Sequence, residues 1–193
     1  MKKLSQLLFK YRSYTPIPFV IIMLIFNNAN VTSIVIGLLI ALIGELFRFW
    51  GVSYAGSETR RTNEVGGSYL VISGPFAHLR NPLYLGNILI YTGIGIMSMA
   101  LFPYLQIVAF VYFYFQYRVI ILGEEEYLHK TYGKQFEDFV KNVPRLIPRI
   151  TPYKADGVKQ PPLNIKAGLK SERRTLQALT IISLLIIVTF IVK

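Results

Sequence analysis

Long apolar runs, broken by short polar or proline-bearing interruptions, set the pattern of this chain. Residues 31–54 and 103–122 are almost continuously apolar. A hydrocarbon core about 30 Å thick takes about 20 such residues of helix, so each run predicts a membrane span. A third run, residues 82–102, opens with Pro82 at a first-turn position, where the missing N–H costs nothing. A shorter run, residues 14–26, contains Pro16 and Pro18, which predict a tilted helix or one that begins only after the prolines. The last, residues 175–192, is nearly uninterrupted Ile, Leu and Val. The expectation is all-α: a polytopic membrane helix bundle of about five spans.

The polar segments between these runs are unequal. The turn at residues 27–30 and the one around Phe102 and Pro103 carry no Lys or Arg. The basic residues fall on the other side: Lys2, Lys3, Lys10 and Arg12, then Arg60, Arg61 and Arg80, then the stretch 130–174. The excess of positive charge predicts a cytoplasmic N-terminus and, with an odd number of spans, an outside C-terminus. The loop 55–81 and the segment 123–174 would then share the cytoplasmic face. Residues 150–170, with Pro152, Gly157, Pro161, Pro162 and Gly168 and little apolar periodicity, read as a linker. The expected organisation is a membrane core over 1–148, a linker over 149–174 and an additional span over 175–193. The basic start has no apolar core followed by a small-residue cleavage site, so a removable signal peptide is not expected.

Composition narrows the class. Apolar residues make up 53% of the chain and the formal net charge is +11. Nucleic acid is an ordinary partner for an isoelectric point near 9.8, but here the charges lie between long apolar blocks. They read as a face turned toward anionic lipid headgroups, with no nucleic-acid partner. With no cysteine and only His78 and His129 as imidazoles, thiolate chemistry is excluded and no metal site is predicted.

Two stretches carry candidate chemistry. In residues 74–87, GPFAHLRNPLYLGN, Gly74-Pro75 marks a turn, Asn81-Pro82 a helix start, and Arg80 sits between them at the membrane surface. A guanidinium there can grip a carboxylate in a two-pronged geometry, or simply snorkel to lipid phosphate. In residues 124–139, EEEYLHKTYGKQFEDF, three consecutive carboxylates at a helix end oppose its dipole and repel one another, so compensating partners are expected; a solvated acidic face is the plainer alternative. Leu128, Tyr132, Phe136 and Phe139 recur at helical spacing, which predicts a helix along the membrane surface or against the loop, broken in two at Gly133.

Taken together, Gly-Pro-Phe, Arg80-Asn81-Pro82, Tyr84 and Gly86, then a hairpin of spans, then Glu124-Glu125 and YGKQFEDFVKNVPRLIP resemble the isoprenylcysteine carboxyl methyltransferase and phospholipid methyltransferase superfamily over about residues 45–148. The resemblance implies a membrane enzyme that binds S-adenosylmethionine at its cytoplasmic face and methylates a lipophilic small molecule or lipid. It places the cofactor against Leu70, Val71, Phe76, Arg80, Asn81, Pro82, Leu83, Tyr84, Glu124 and Glu125. Arg80 would hold the methionine carboxylate, a glutamate would accept from the ribose hydroxyls or the methionine amine, and Phe76 or Tyr84 would lie near the sulfonium. Arg80, Glu124 and Arg118 are the candidates for the catalytic set. Asn81 stands where the family often has histidine, and Arg118 matches only loosely an arginine that the prenylcysteine enzymes carry nearer the acidic pair. The last span and its linker lie outside the resemblance.

Glu45 and Arg48, three residues apart in a span, are expected either to pair or to stand beside the cofactor pocket. His78 and His129 read as interfacial, and the aromatic residues of 110–117 as packing or lipid-facing groups. An NADPH-dependent sterol-type reductase is the enzymatic alternative. Asn87 after Tyr84-Leu85-Gly86, where such enzymes carry an acid, disfavours it. A non-catalytic membrane protein would leave the paired motifs unexplained.

Overall fold

In the computed structural model of the chain the described residues are 2–56, 70–155, 158 and 160–193; Arg60, Arg61 and Lys159 lie outside them. Among these residues the secondary structure is helical: α1 (Lys2–Tyr11), α2 (Ile17–Ile25), α3 (Val31–Ala55), a 3₁₀ turn (Gly74–Ala77), α4 (Pro82–Ser98), α5 (Tyr104–Tyr132), α6 (Lys134–Asn142) and α7 (Ile165–Val192). Three of them, α3, α5 and α7, are long and apolar enough to cross a membrane; α4 is apolar and shorter.

Local sequence sets these boundaries. Asn30 and Ser33 form a capping box at the start of α3: the Asn30 side chain accepts from the Ser33 N–H at 2.9 Å and the Ser33 hydroxyl accepts from the Asn30 N–H at 3.0 Å. Pro82 occupies the first turn of α4. Gly133, at a φ of 49°, ends α5, so the break expected there is present. The segment before it differs from expectation. Residues 124–132 are not a separate surface helix but continue α5 beyond the apolar run that ends at Leu122.

Helices α3 and α4 pack antiparallel along a seam of small residues. Gly37 lies against Gly93 and Met97, Gly44 against Gly86 and Ile90, and Gly51 against Pro82 and Leu83. A Cβ on Gly44 or Gly86 would strike the other's carbonyl oxygen, so glycine lets the two backbones meet. Met23, Ala41, Ile90, Ile94, Met97, Leu179 and Ile186 bury a core between α2, α3, α4 and α7.

Glu45 and Arg48 approach at 3.8 Å, and the stronger partner of Arg48 is Glu172 of α7 at 2.8 Å. Asn87 and Thr175 also accept hydrogen bonds from Arg48. Glu172 is fully buried. This network ties α7 to α3 and α4, so the last helix belongs to the core of the bundle. Its helix begins ten residues before the apolar run, and Gly168, Ser171 and Glu172, expected in a linker, are buried helical residues. The segment before it is docked as well. The Arg149 N–H donates to the His78 carbonyl and the Tyr153 N–H to the Ala77 carbonyl, each at 2.9 Å, and Gln160 bonds the backbone of Leu70 and Ile72.

Candidate active site

The loop leading into α4 is built by backbone constraints. Gly74 adopts a φ of 59° with the Tyr54 ring where a Cβ would be, which leaves glycine as the residue that fits. Leu79 is fully buried, and its N–H donates to the Pro75 carbonyl at 3.0 Å, closing the turn. The Arg80 N–H donates to the Pro144 carbonyl at 2.8 Å and the Asn81 N–H to the Arg145 carbonyl at 3.1 Å, so this loop and the chain leaving α6 run side by side. The Asn81 side-chain amide adds a bond of 3.3 Å to that same Arg145 carbonyl.

The Arg80 guanidinium lies at the centre. Its Nε donates to Glu125 Oε1 at 3.0 Å, and its Nη1 to the carbonyls of Val140 at 3.0 Å and Val143 at 2.6 Å. Arg145 grips the same carboxylate from the other side, with Nη2 at 2.7 Å from Oε2 and Nε at 3.0 and 3.1 Å from the two oxygens. Burial outweighs Glu125 at Arg80 and draws its pKa down. At Arg145, more open to water, the hydrogen bond to Glu125 prevails and raises it. Arginine stays charged in either case, so this triad carries two positive charges around one negative charge.

Glu124 points elsewhere. Its Oε1 accepts from the Tyr84 hydroxyl at 2.6 Å, and the Tyr84 ring stacks on Tyr117 at 4.9 Å between centroids. Glu126 is exposed and pairs with Lys130 one turn on. The three carboxylates thus have three different partners, which is the compensation the sequence called for. Ser73, in the same loop, has a buried hydroxyl without a hydrogen-bond partner among the described residues.

Of the residues singled out from sequence, Arg80, Asn81, Pro82, Tyr84, Glu124 and Glu125 come together where the loop, the start of α4 and the end of α5 meet. Val71, Phe76 and Leu83 are half-buried, and Leu83 packs on Gly51 of α3. Leu70 turns instead into a cluster with Ile72, Phe136, Phe139 and Val143 under α6. Arg118 is half-buried and forms no ion pair among the described residues; its charge acts on Arg80. His78 is fixed through Nδ1 on the Arg149 carbonyl at 2.8 Å, and His129 pairs on the surface with Glu137.

Arg145 and the α6 carbonyls escaped the reading from sequence, because Arg145 lies twenty residues past Glu125 in a proline-rich stretch with no helical register to link them. Charge bookkeeping is the signal that could have found it: an acidic run this close to a membrane needs more than one cation.

The model of the phospholipid methyltransferase family matches residues 32–135, just over half of the chain. The chain belongs to this family. The match takes in all of α3 but its first residue and the whole of α4 and α5, and so contains Arg80, Tyr84, Glu124 and Glu125. Among curated proteins, the chain is similar to the cobalt-zinc-cadmium resistance protein CzcN of Cupriavidus metallidurans, 27% identical over 63% of this chain and 50% of that protein. It is similar also to the nickel-cobalt-cadmium resistance protein NccN of Alcaligenes xylosoxydans xylosoxydans, 25% identical over 67% of this chain and 55% of that one. The chain therefore spans about half the length of the curated relatives it matches. No solved structure matches it.

Proposed function

We propose that this membrane methyltransferase uses S-adenosylmethionine, bound at the cytoplasmic face between the 70–81 loop, the start of α4 and the end of α5, and that its acceptor is lipophilic. The observation that carries the reading is the convergence of the Arg80–Glu125–Arg145 triad and the Tyr84–Glu124 pair at one end of the bundle. That end is also the one with the excess of Lys and Arg.

The residues suit the cofactor's groups. Its carboxylate needs a guanidinium; Arg80 and Arg145 offer two, held by a single carboxylate that a second one can replace in part. Only one oxygen of Glu124 is used by Tyr84, which leaves the other to accept from ribose hydroxyls or the methionine amine. The Ser73 hydroxyl, buried and without a partner among the described residues, is a further group that the cofactor could meet. When bound, the cofactor supplies the activated methyl group. The chain's own contribution is then to align the acceptor, with Arg118 as the candidate on that side, and to keep water away, a task for which the apolar Val71, Phe76 and Leu83 are the candidates. Asn87, the position that disfavours a nicotinamide enzyme, is spent on Arg48.

Equilibrium titration of the purified chain with S-adenosylmethionine and, in parallel, NADPH tests this reading. Saturable binding of the first alone is expected; binding of NADPH alone, or of neither, would overturn it. Labelled methyl transfer to lipid extracts then identifies the acceptor.

A further inference from the structure

The segment between α6 and α7 is pinned on both sides of Gln160. Before it, Tyr153, Ala155 and Val158 pack on the cluster that holds Leu70 and Ile72, and the Tyr153 ring lies 6.0 Å from that of Phe139. After it, the Asn164 N–H donates to the Ser53 carbonyl of α3 at 2.8 Å, the Asn164 side chain caps α7, and Glu172 grips Arg48. Gln160 is thus carried on a strap with fixed ends.

Both ends of the Gln160 side-chain amide are committed to the loop that leads into α4. Its Oε1 accepts from the Ile72 N–H at 2.7 Å and its Nε2 donates to the Leu70 carbonyl at 3.1 Å. A carbonyl and the N–H two residues on are the pair that one residue of a neighbouring parallel strand would take, so a single side chain stands in for a strand. Among the described residues these are the two hydrogen bonds to the backbone of residues 70–72. The stretch they hold alternates: Leu70 and Ile72 are buried in the cluster, and Val71 and Ser73 are half-buried. Val71 and the Ser73 hydroxyl are the groups of this stretch that the proposed cofactor site uses.

We propose that Gln160 is a positioning residue, whose amide clips residues 70–73 in the conformation that turns Val71 and Ser73 toward the cofactor. It lies beyond residue 135, where the family match ends, so the clip is supplied by this chain's own C-terminal segment. Its role rests on the reading that the 70–81 loop holds S-adenosylmethionine. Gln160 itself touches neither cofactor nor acceptor; it acts through the loop.

The test compares Gln160→Met, which keeps the length of the side chain and removes its donor and acceptor, with Lys154→Met at an exposed position of the same strap. The full chain in detergent is followed by hydrogen–deuterium exchange, by its thermal midpoint and by titration with S-adenosylmethionine. In Gln160→Met the peptide covering residues 70–73 should exchange about tenfold faster than in wild type, with α5 and α7 unchanged. Cofactor affinity should fall about tenfold while the midpoint hardly moves, because a loop that samples several conformations is less often in the binding one. Lys154→Met should match wild type in all three measurements. Equal exchange of residues 70–73 in wild type and Gln160→Met would overturn the proposal. So would a released loop with undiminished cofactor affinity, or a lower midpoint with faster exchange throughout, which would make Gln160 a structural tie and nothing more. A wild type that binds no S-adenosylmethionine would sink the proposed function, and the exchange comparison would still decide whether the clip exists.

Discussion

Glu124 and Glu125 are adjacent in sequence, yet successive positions on a helix point about 100° apart, and that rotation gives them different tasks. Glu124 turns to Tyr84 on α4, and Glu125 turns to the two arginines below α6. Their amide variants should separate binding from stability. Glutamine at 124 can keep the Tyr84 hydrogen bond, so Glu124→Gln should leave the thermal midpoint nearly unchanged while S-adenosylmethionine affinity falls about tenfold. Glu125→Gln leaves Arg80 and Arg145 facing each other without the charge between them. It should cost about 2 to 3 kcal/mol, read as a lower midpoint in detergent. Arg80 itself shows how structure alters an expectation. Treated as a ligand-binding side chain projecting into a pocket, it should be removable without harm to the fold. Because it also holds the Val140 and Val143 carbonyls, Arg80→Ala should lose both cofactor binding and thermal stability. A variant that lost only binding would show that the α6 carbonyls find water instead.

Between helices, two kinds of contact hold the bundle, and they test differently. The glycine seam is steric: Gly44→Val forces α3 away from the Gly86 carbonyl and should destabilise by about 1 to 3 kcal/mol, with the loss visible in urea or thermal denaturation. The Arg48–Glu172 contact is ionic and buried. Glu172→Ala leaves the guanidinium only the longer Glu45 contact and should cost about 3 kcal/mol, whereas replacing all three charges, Arg48→Met with Glu172→Leu and Glu45→Leu, should recover most of it. Failure of the triple variant to recover would give Arg48 a task beyond pairing. The helices themselves were readable because apolar runs of span length leave little choice of secondary structure, and Asn30, Pro82 and Gly133 mark their ends by local chemistry. Part of the candidate site was legible for the same reason: Arg80 and Tyr84 flank the start of α4 marked by Pro82, and Glu124 follows the apolar run of α5. What could not be counted is contact across long separations. Nothing in the pattern links Arg48 to Glu172, and the stretch over 149–164 looks like a tether because its partners, the Ala77 and His78 carbonyls and the Leu70 backbone, are not written in its own periodicity.

At the scale of the whole molecule, contacts give the bundle two unlike ends. Ser5, Arg80, Glu125 and Gly168 meet their partners at one end. At the other, the Asn28 N–H donates to Ser98, and the Asn27 side chain bonds the Ile186 carbonyl near the end of α7. The chain passes between these ends five times, through residues 12–26, α3, α4, α5 and α7; the first passage packs Phe19 against Phe113 on its way. Helix length alone picks out only α3, α5 and α7, since α2 is nine residues and is completed by the turn before it. We propose that each passage crosses the membrane; an odd number of crossings would then put the two termini on opposite faces, and the basic excess would make the site end cytoplasmic. The absence of cysteine makes this directly measurable, because each single-cysteine variant carries one thiol. In sealed vesicles with the cytoplasmic face inward, an impermeant maleimide should spare Lys3→Cys, Arg61→Cys and Lys159→Cys until the membrane is opened, and should label Asn28→Cys and Leu101→Cys at once. In sequence, residue 61 precedes Arg80 on the segment between α3 and α4, and residue 159 follows Arg145 on the segment between α6 and α7. If the reagent found them on opposite faces, the Arg80–Glu125 contact could not exist in the membrane, and the active site built on it would fall with it.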